Sequence, residues 1–260
     1  MSAEAVFVPV GEETFVATEL ARGPWDPAAQ HGGAPAALLM RAFERLTTSD
    51  ELVVARVTYE FLRSVPLGEL EVRASVLRPG RRVQLLEASI FSTDGTEVAR
   101  ARALEVRRAE TDHAPEPAPP PASPEETVPS DFSSAHRPMF GTDAMEIRFV
   151  VGKFSAPGPS TGWFRLRVPL VEGEPTSSLQ SLTAAADFGN GISAVVPWDD
   201  HLFINPDLTI YVEREPVGAW ICLQAQTRIT PGGVGIAESQ LFDEREQVGR
   251  ATQALLVARR

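Results

Sequence analysis

Two groups of residues in this sequence could act together on a carbonyl compound. The first is the tripeptide His31-Gly32-Gly33, which opens an apolar helical run, and the second is the acid Asp187. Backbone N–H groups at a helix start have no partner within the helix and lie at the positive end of its dipole, so the Gly33 N–H could polarise a carbonyl oxygen. A carboxylate can take a proton from an attacking water. The fold must bring these distant segments together.

An internal repeat indicates how the fold does so. The segment 58–63 aligns with the segment 209–214 at an offset of 151 residues, and prolines, glycines and alternating apolar residues stay in register well beyond it. Self-similarity of this kind predicts a duplicated domain. Between the copies, residues 114–129 contain seven prolines, which lack N–H donors and have a fixed φ. We therefore predict three consecutive segments: a first domain (1–110), a proline-rich linker without helix or sheet (111–135) and a second domain (136–260).

Each copy has the same predicted order of elements: two strands, one helix and four further strands. The first helix, Gly33–Leu46, is apolar on most of its surface and should be buried. The second, Ser178–Phe188, is predicted to stop at Gly189-Asn190-Gly191, residues that tolerate a left-handed helix end. The strands alternate apolar and polar residues, as in an antiparallel sheet with one dry face. They are predicted at Ala5–Val10, Thr14–Glu19, Ala55–Leu62, Glu69–Leu77, Gln84–Ser92, Val98–Arg107, Glu146–Val151, Gly162–Val168, Asp207–Glu213, Ala219–Ile229, Gly235–Phe242 and Gly249–Ala258.

The two copies differ at positions that matter for chemistry. Three polar residues of the second copy stand where the first copy has apolar ones: Asp187 opposite Met40, Asn205 opposite Val54 and Gln253 opposite Ala103. Conversely, the glycines of the first helix start have no counterpart in the second. A duplicated fold needs both copies for its structure but only one copy of each catalytic group. These complementary differences predict a single site built from both halves.

The element order resembles the hotdog fold, in which a curled sheet wraps one apolar helix. The motifs Gln30-His31-Gly32-Gly33, Thr58-Tyr59-Glu60-Phe61-Leu62-Arg63 with Pro66, and Ala186-Asp187-Phe188-Gly189-Asn190-Gly191 together resemble the acyl-CoA thioesterase II family. The resemblance implies an α+β fold of two tandem hotdog domains, each a curled antiparallel sheet wrapped around one central helix. It also implies hydrolysis of acyl-CoA thioesters to free acid and CoA by an Asp-activated water between the two hotdogs, without a cofactor.

The same resemblance implies roles for individual residues. In that family an acid, a hydroxyl and a glutamine hold the water, and the matching positions here are Asp187, Asn205 and Gln253. Asn205 departs from the pattern because an amide replaces the hydroxyl. The His31-Gly32-Gly33 helix start is expected to bind the thioester carbonyl. Related single hotdog thioesterases place the carboxylate nine residues after the histidine, where this chain has Met40, so the first half should not react alone.

Every one of these residues also has a structural interpretation. Asp187 could cap or solvate a helix end, Gln253 could make a buried hydrogen bond, and Asn205 could be a turn residue before Pro206. His31 could hold the helix start, and Gly32 and Gly33 could serve only to let the helix pack closely.

Two other functions fit part of the sequence. Asp26 and His31 have the spacing of the acid and base in hotdog enoyl-CoA hydratases, although the intervening Pro27-Ala28-Ala29-Gln30 matches that motif only in part. A non-catalytic acyl-CoA or lipid-binding protein is the third possibility. The acyl group that the chain would accept depends on a tunnel lined by apolar side chains such as Trp163, Phe164 and Trp198.

Composition excludes several other classes of function. A net charge of −11 and a pI near 4.9 oppose nucleic-acid binding. Without a long apolar stretch or a signal peptide, the chain is predicted to be cytoplasmic and not inserted in a membrane. The single cysteine, Cys222, is expected to be buried, and the four histidines show no metal-binding spacing.

Coenzyme A is a polyanion, so its binding requires arginines at one place. We also expect a homo-oligomer.

Overall fold

The strands form a single large antiparallel sheet, and buried and more exposed residues alternate along them. The computed structural model describes residues 4–47, 49, 51–112, 116–130, 132 and 137–260. In the central strand Leu52–Phe61, for example, Val57 and Tyr59 are buried whereas Glu60 is exposed. The strands of the described residues are β1 Phe7–Pro9, β2 Thr14–Ala17, β3 Leu52–Phe61, β4 Gly68–Arg78, β5 Val83–Ser92, β6 Glu97–Arg107, β7 Val128–Pro129, β8 Met145–Lys153, β9 Ala156–Leu166, β10 His201–Ile204, β11 Asp207–Val212, β12 Ile221–Ile229, β13 Val234–Phe242 and β14 Gln247–Arg259. Their order across the sheet is β1-β2-β4-β5-β6-β3-β11-β14-β13-β12-β9-β8-β7, with β10 paired to β14.

Two apolar helices pack against this sheet and against each other. The helix α1, Gly33–Leu46, has the predicted bounds, and its residues from Ala36 to Met40 are fully buried. The helix α2, Ser178–Ala186, begins with a capping box in which the Ser177 hydroxyl accepts the Gln180 N–H. A Cβ atom at Gly33 would lie 2.5 Å from the carbonyl oxygen of Ala184. The start of α1 therefore approaches the backbone of α2 as closely as only glycine permits.

The two halves join edge to edge where β3 pairs with β11. Thr58 lies opposite Thr209, its counterpart in the repeat, and their hydroxyl oxygens are 3.3 Å apart. Glu60 pairs with Asp207, and Arg56 pairs with Tyr211. In the repeat, Tyr211 is the counterpart of Glu60 and Asp207 is the counterpart of Arg56, so exchanging the copies converts one pair into the other. A local twofold axis thus passes between Thr58 and Thr209.

The second helix ends at Ala186, two residues before the predicted Phe188, but the predicted left-handed end at Gly189-Asn190-Gly191 is wrong. Gly189-Asn190-Gly191 lie in a further helical turn, α3 (Gly189–Ile192), and none of the three has a positive φ. The tertiary structure favours this turn because the buried Asn190 N–H donates to Gln253 across the core. A further strand, β10, was not predicted; it has four residues and pairs with the end of β14.

The proline-rich segment is more ordered than expected from its composition. Val128–Pro129 forms an edge strand on β8, a position where proline is tolerated because its missing N–H would face away from the ladder. The Trp163 indole N–H donates to the Ala122 carbonyl at 3.0 Å, and the Gln247 N–H donates to the Ala118 carbonyl at 2.8 Å. The prediction of a linker without helix or sheet is therefore wrong at 128–129 and at Pro124–Glu126, which forms a short 3-10 helix, and the segment packs on the second half. Residues 113–115, 131 and 133–135 of the predicted linker lie outside the described residues.

Cys222 is buried, as expected, with Trp163, Trp220 and Phe242. Burial raises the pKa of its thiol to about 12, so it is not a nucleophile near neutral pH. In the described part of the chain, none of the helices is long and apolar enough to span a membrane.

The contact between the helices gives a test of the seam. We expect Gly33→Ala to lower the free energy of unfolding by roughly 1–3 kcal/mol, because the added Cβ must push α1 away from the Ala184 carbonyl. Urea denaturation would measure the change. Gly11→Ala is the control, since a Cβ there meets nothing closer than 3.4 Å. Wild-type stability in Gly33→Ala would contradict the close helix contact.

Candidate active site

The carboxyl group of Asp187 lies at the end of α2, 4% exposed, and is surrounded by groups from both halves. From the second half, the Asn205 Nδ2 donates to Oδ1 at 2.8 Å, and the Gln253 Nε2 donates to the same oxygen at 3.1 Å. From the first half, the His31 Nδ1 lies 3.2 Å from Oδ2. A Cβ at Gly32 would lie 2.7 Å from Oδ2. The structure therefore brings Asp187, Asn205, Gln253, His31 and Gly32 together.

The surroundings of Asp187 tune its protonation. Burial raises the pKa of the Asp187 carboxyl to about 7, because the charged form loses its hydration. Hydrogen bonds from Asn205, from the Gly33 N–H and from Gln253 act in the opposite direction. A carboxyl group that titrates near neutral pH can both take and return a proton under physiological conditions.

His31 lies against the same carboxyl but is uncharged. Its ring stacks on Phe188 at a centroid distance of 4.2 Å, and burial lowers the pKa of the imidazole to about 3. Its Nδ1 accepts the Gly33 N–H at 3.1 Å, so this nitrogen carries a lone pair. The close approach of Nδ1 to Asp187 is therefore a hydrogen bond only when the carboxyl is protonated, not an ion pair.

The Gly33 N–H, which was expected to lack a partner within the helix, donates to the His31 side chain outside it. Gly32, one residue earlier, lies on the wall of the cavity described below, and its N–H has no acceptor among the described residues. The predicted helix start is thus present, but Gly32 offers the more accessible donor. Gly33 also has the structural role considered above, since its missing Cβ admits the Ala184 carbonyl.

Asn190 belongs to the site and was missed as a functional residue. Its backbone N–H donates to the Gln253 Oε1 at 3.1 Å, and its side-chain Nδ2 donates to the Asn205 Oδ1 at 3.3 Å. Because both acceptors must be oxygens, these bonds turn the Nδ2 of Asn205 and the Nε2 of Gln253 toward Asp187. The available signal was an asparagine between two glycines in the motif Gly189-Asn190-Gly191, which was interpreted as a helix end.

A cavity of about 520 Å³ opens beside the carboxyl group and is lined by both halves. Asp187, Asn205, His31 and Gly32 lie on its wall, whereas Gln253 and Gly33 lie behind that wall. Most of the remaining surface is apolar, with Trp25 stacked on Trp198 across the halves at 4.9 Å. The aromatic residues of the lining are Trp25, Phe61, Phe132, Phe154, Phe188 and Trp198.

Trp198 lines the cavity, as predicted, but Trp163 and Phe164 do not. Trp163 is buried in the separate cluster below the proline-rich segment, where its indole bonds Ala122. Phe164 lies one layer further back and packs on Phe188 at 5.0 Å. Alternation along β9 places Trp163 and Phe164 on opposite faces of the sheet, but it could not show that both faces are covered there.

The comparison with known families identifies the chain. A model described as the acyl-CoA thioesterase C-terminal domain matches residues 112–257, and one described as the acyl-CoA thioesterase N-terminal domain matches residues 21–105. The chain belongs to the acyl-CoA thioesterase family. This confirms the family inferred from the sequence motifs. No protein of curated function matched this thioesterase.

Solved structures show the fold of this thioesterase. A Thermobifida fusca protein assigned as a thioesterase II has a TM-score of 0.75 at 20% identity, covering 98% of this chain and 97% of its own. A hotdog-fold protein of unknown function from Alicyclobacillus acidocaldarius has a TM-score of 0.74 at 15% identity, with the same coverage. The acyl-CoA thioesterase II TesB2 from Mycobacterium marinum has a TM-score of 0.69 at 14% identity, covering 98% and 95%. The predicted hotdog fold is confirmed.

The hydrogen bonds to Asp187 lead to a prediction for the pH dependence of the thioesterase. The Gln253 amide lowers the pKa of the carboxyl, so Gln253→Leu should raise it. We expect the acid limb of kcat/KM, near pH 7 in the wild type, to move to higher pH. A pH–rate profile measures the limb, and Gln224→Leu, at an exposed position on β12, is the matched control. An acid limb that does not move would show that Gln253 does not act on Asp187.

Proposed function

We propose that this chain hydrolyses acyl-CoA thioesters to free acid and CoA with Asp187 as the general base. The site lies between two tandem hotdog domains, 1–110 and 136–260, joined by the segment 111–135, and each sheet wraps one central helix, α1 or α2. The observation that carries the proposal is a buried carboxyl of the second half, with its pKa raised to about 7, beside the glycine helix start of the first half. Both line one cavity.

The reaction follows from these positions. Asp187 takes a proton from a water molecule as the water oxygen bonds to the thioester carbonyl carbon. Negative charge then develops on the carbonyl oxygen, where the N–H of Gly32 and the dipole of α1 stabilise it. When the tetrahedral intermediate collapses, the carbon–sulfur bond breaks and the proton held by Asp187 passes to the sulfur of CoA.

The other polar groups position these reactants. Gln253 and Asn205 hold the carboxylate, and in this proposal Gln253 orients Asp187 from behind the wall instead of binding the water itself. Asn205 does line the cavity, so its amide can contact the water as well as Asp187. His31 accepts the Gly33 N–H at Nδ1, and this nitrogen can accept the proton of a protonated Asp187 only in place of that bond, because a neutral imidazole has one acceptor lone pair.

The contacts around Asp26 give the hydratase alternative little support. The Asp26 carboxylate is exposed and accepts the Ala28 N–H at 2.8 Å, which stabilises a turn. The Nδ1 of His31 points to Asp187 and Gly33, not to Asp26. Moreover, with its pKa lowered to about 3, the imidazole is a weak base.

Replacing Asp187 tests the proposal directly. We expect Asp187→Asn to lower kcat by at least roughly a hundredfold, the usual contribution of a positioned general base. The measurement is thiol release from short, medium, long and aromatic acyl-CoAs. The exposed Asp199→Asn is a control for the change of charge. Unchanged turnover would remove Asp187 from the mechanism, and loss of crotonyl-CoA without thiol release in the wild type would indicate a hydratase.

The same variant should change stability in a pH-dependent manner. The pKa of Asp187 is about 7 in the folded chain against an ordinary value of 3.8, so the folded state holds the proton between these values. The carboxyl therefore favours folding at low pH and loses this contribution as the pH rises toward 7. We expect Asp187→Asn to be more stable than the wild type at pH 8, by on the order of 4 kcal/mol, and similar at pH 4. Urea denaturation at both pH values measures this, and a constant difference would contradict a raised pKa.

A further inference from the structure

The cavity beside Asp187 has a twofold counterpart on the other side of the local axis. The first cavity is lined by residues 61–64 and 204–206, and a second cavity of about 900 Å³ is lined by residues 212–215 and 53–55. Adding 151 to residues 61–64 gives residues 212–215, and subtracting 151 from residues 204–206 gives residues 53–55. The repeat therefore converts one lining into the other. The second cavity is therefore an internal control, because its positions correspond to those of the proposed active site.

Arg63 and Arg214 are counterparts in these two linings, but their surroundings differ. The Arg214 guanidinium donates to both carboxylate oxygens of Asp243, at 2.7 and 2.8 Å, and forms an ion pair with Glu246 at 2.7 Å. The repeat places Ser92 at the position of Asp243. Arg63 is exposed and forms no ion pair with any described residue. The first half thus has the arginine without the acid that neutralises it in the second half.

Arg63 is also the cation that remains available in the lining of the first cavity. The other arginine there, Arg22, is buried and donates to the Pro27 and Pro138 carbonyls and to the Glu19 carboxylate. In a chain of net charge −11, this leaves one guanidinium of the lining without a carboxylate partner among the described residues. A guanidinium can donate two parallel hydrogen bonds to a phosphate group.

We propose that Arg63 binds a phosphate group in the coenzyme A part of the substrate, and that Arg214 has a structural role in the corresponding place. The proposal rests on the proposed function, since it assumes that the thioester enters this cavity. Arg63 would then contribute to substrate affinity without taking part in the chemical step. In the second cavity the counterpart Arg214 is held by Asp243 and Glu246, and the other two arginines of the lining, Arg107 and Arg108, are paired with Glu51 and Glu215.

The experiment compares two substrates that carry the same acyl group. One is an acyl-CoA, and the other is the acyl thioester of pantetheine, which lacks phosphates. We expect Arg63→Gln to raise KM for the acyl-CoA about tenfold or more, the usual effect of losing a hydrogen bond to a charged group, with kcat unchanged. KM for the acyl-pantetheine should stay at the wild-type value, and Arg63→Lys should recover part of the affinity for the acyl-CoA.

Arg78→Gln, at an exposed arginine on β4, is the matched control and should leave both KM values unchanged. An equal change of KM for both substrates in Arg63→Gln, or no change for either, would overturn the proposal. If the wild type releases thiol from neither substrate, the proposed function fails, but calorimetry with free CoA still tests Arg63. A loss of affinity of about tenfold in Arg63→Gln would support its role in that case, and equal affinities would exclude it.

Discussion

The removal of the Asp187 carboxyl from water is the constraint on which the site depends. A buried carboxylate is unfavourable unless donors replace its hydration, and here these donors are the amides of Asn205 and Gln253. The donors are sufficient to hold the group but not to keep it charged at all pH values. The resulting pKa near neutrality is a product of this balance.

This balance requires both halves of the chain. Asn205 and Gln253 come from the second half, whereas His31, Gly32 and Gly33 come from the first, and the two sets meet only because β3 pairs with β11 and α1 packs on α2. The copies pair symmetrically where β3 meets β11, and the polar residues that differ between them lie around Asp187. Met40, at the place where single hotdog thioesterases have their acid, is fully buried in the core of the first half.

Much of this arrangement could be predicted from the sequence. The bounds of α1 followed from a long apolar run, and the strands followed from alternation, because both patterns reflect burial on one face. Comparing the two copies found Asp187, Asn205 and Gln253, which do meet in space. The helical turn at Gly189-Asn190-Gly191 and the role of Asn190 could not be predicted. Both depend on Gln253, 63 residues away, which overrides the local preference of glycine and asparagine for a helix end.

The contact between the proline-rich segment and Trp163 is a second long-range interaction that could not be predicted from the sequence. Composition correctly indicated few backbone donors in this segment, but it could not show that the Trp163 indole would bond the Ala122 carbonyl. The Trp163 indole on β9 binds this segment to the sheet through its hydrogen bond to Ala122. Trp163 itself does not line the cavity. Local patterns determine elements, whereas long-range hydrogen bonds decide which surfaces stay open.

The burial of Cys222 has a practical consequence. Since it is the single cysteine of the chain and its thiol is enclosed by Trp163, Trp220 and Phe242, the folded protein presents no competing sulfhydryl to an electrophilic dye. A cysteine introduced at the exposed Ser64, on the lining of the first cavity, would then be the only site that such a dye labels. A fluorophore attached there would report occupancy of the cavity without any change to the rest of the chain.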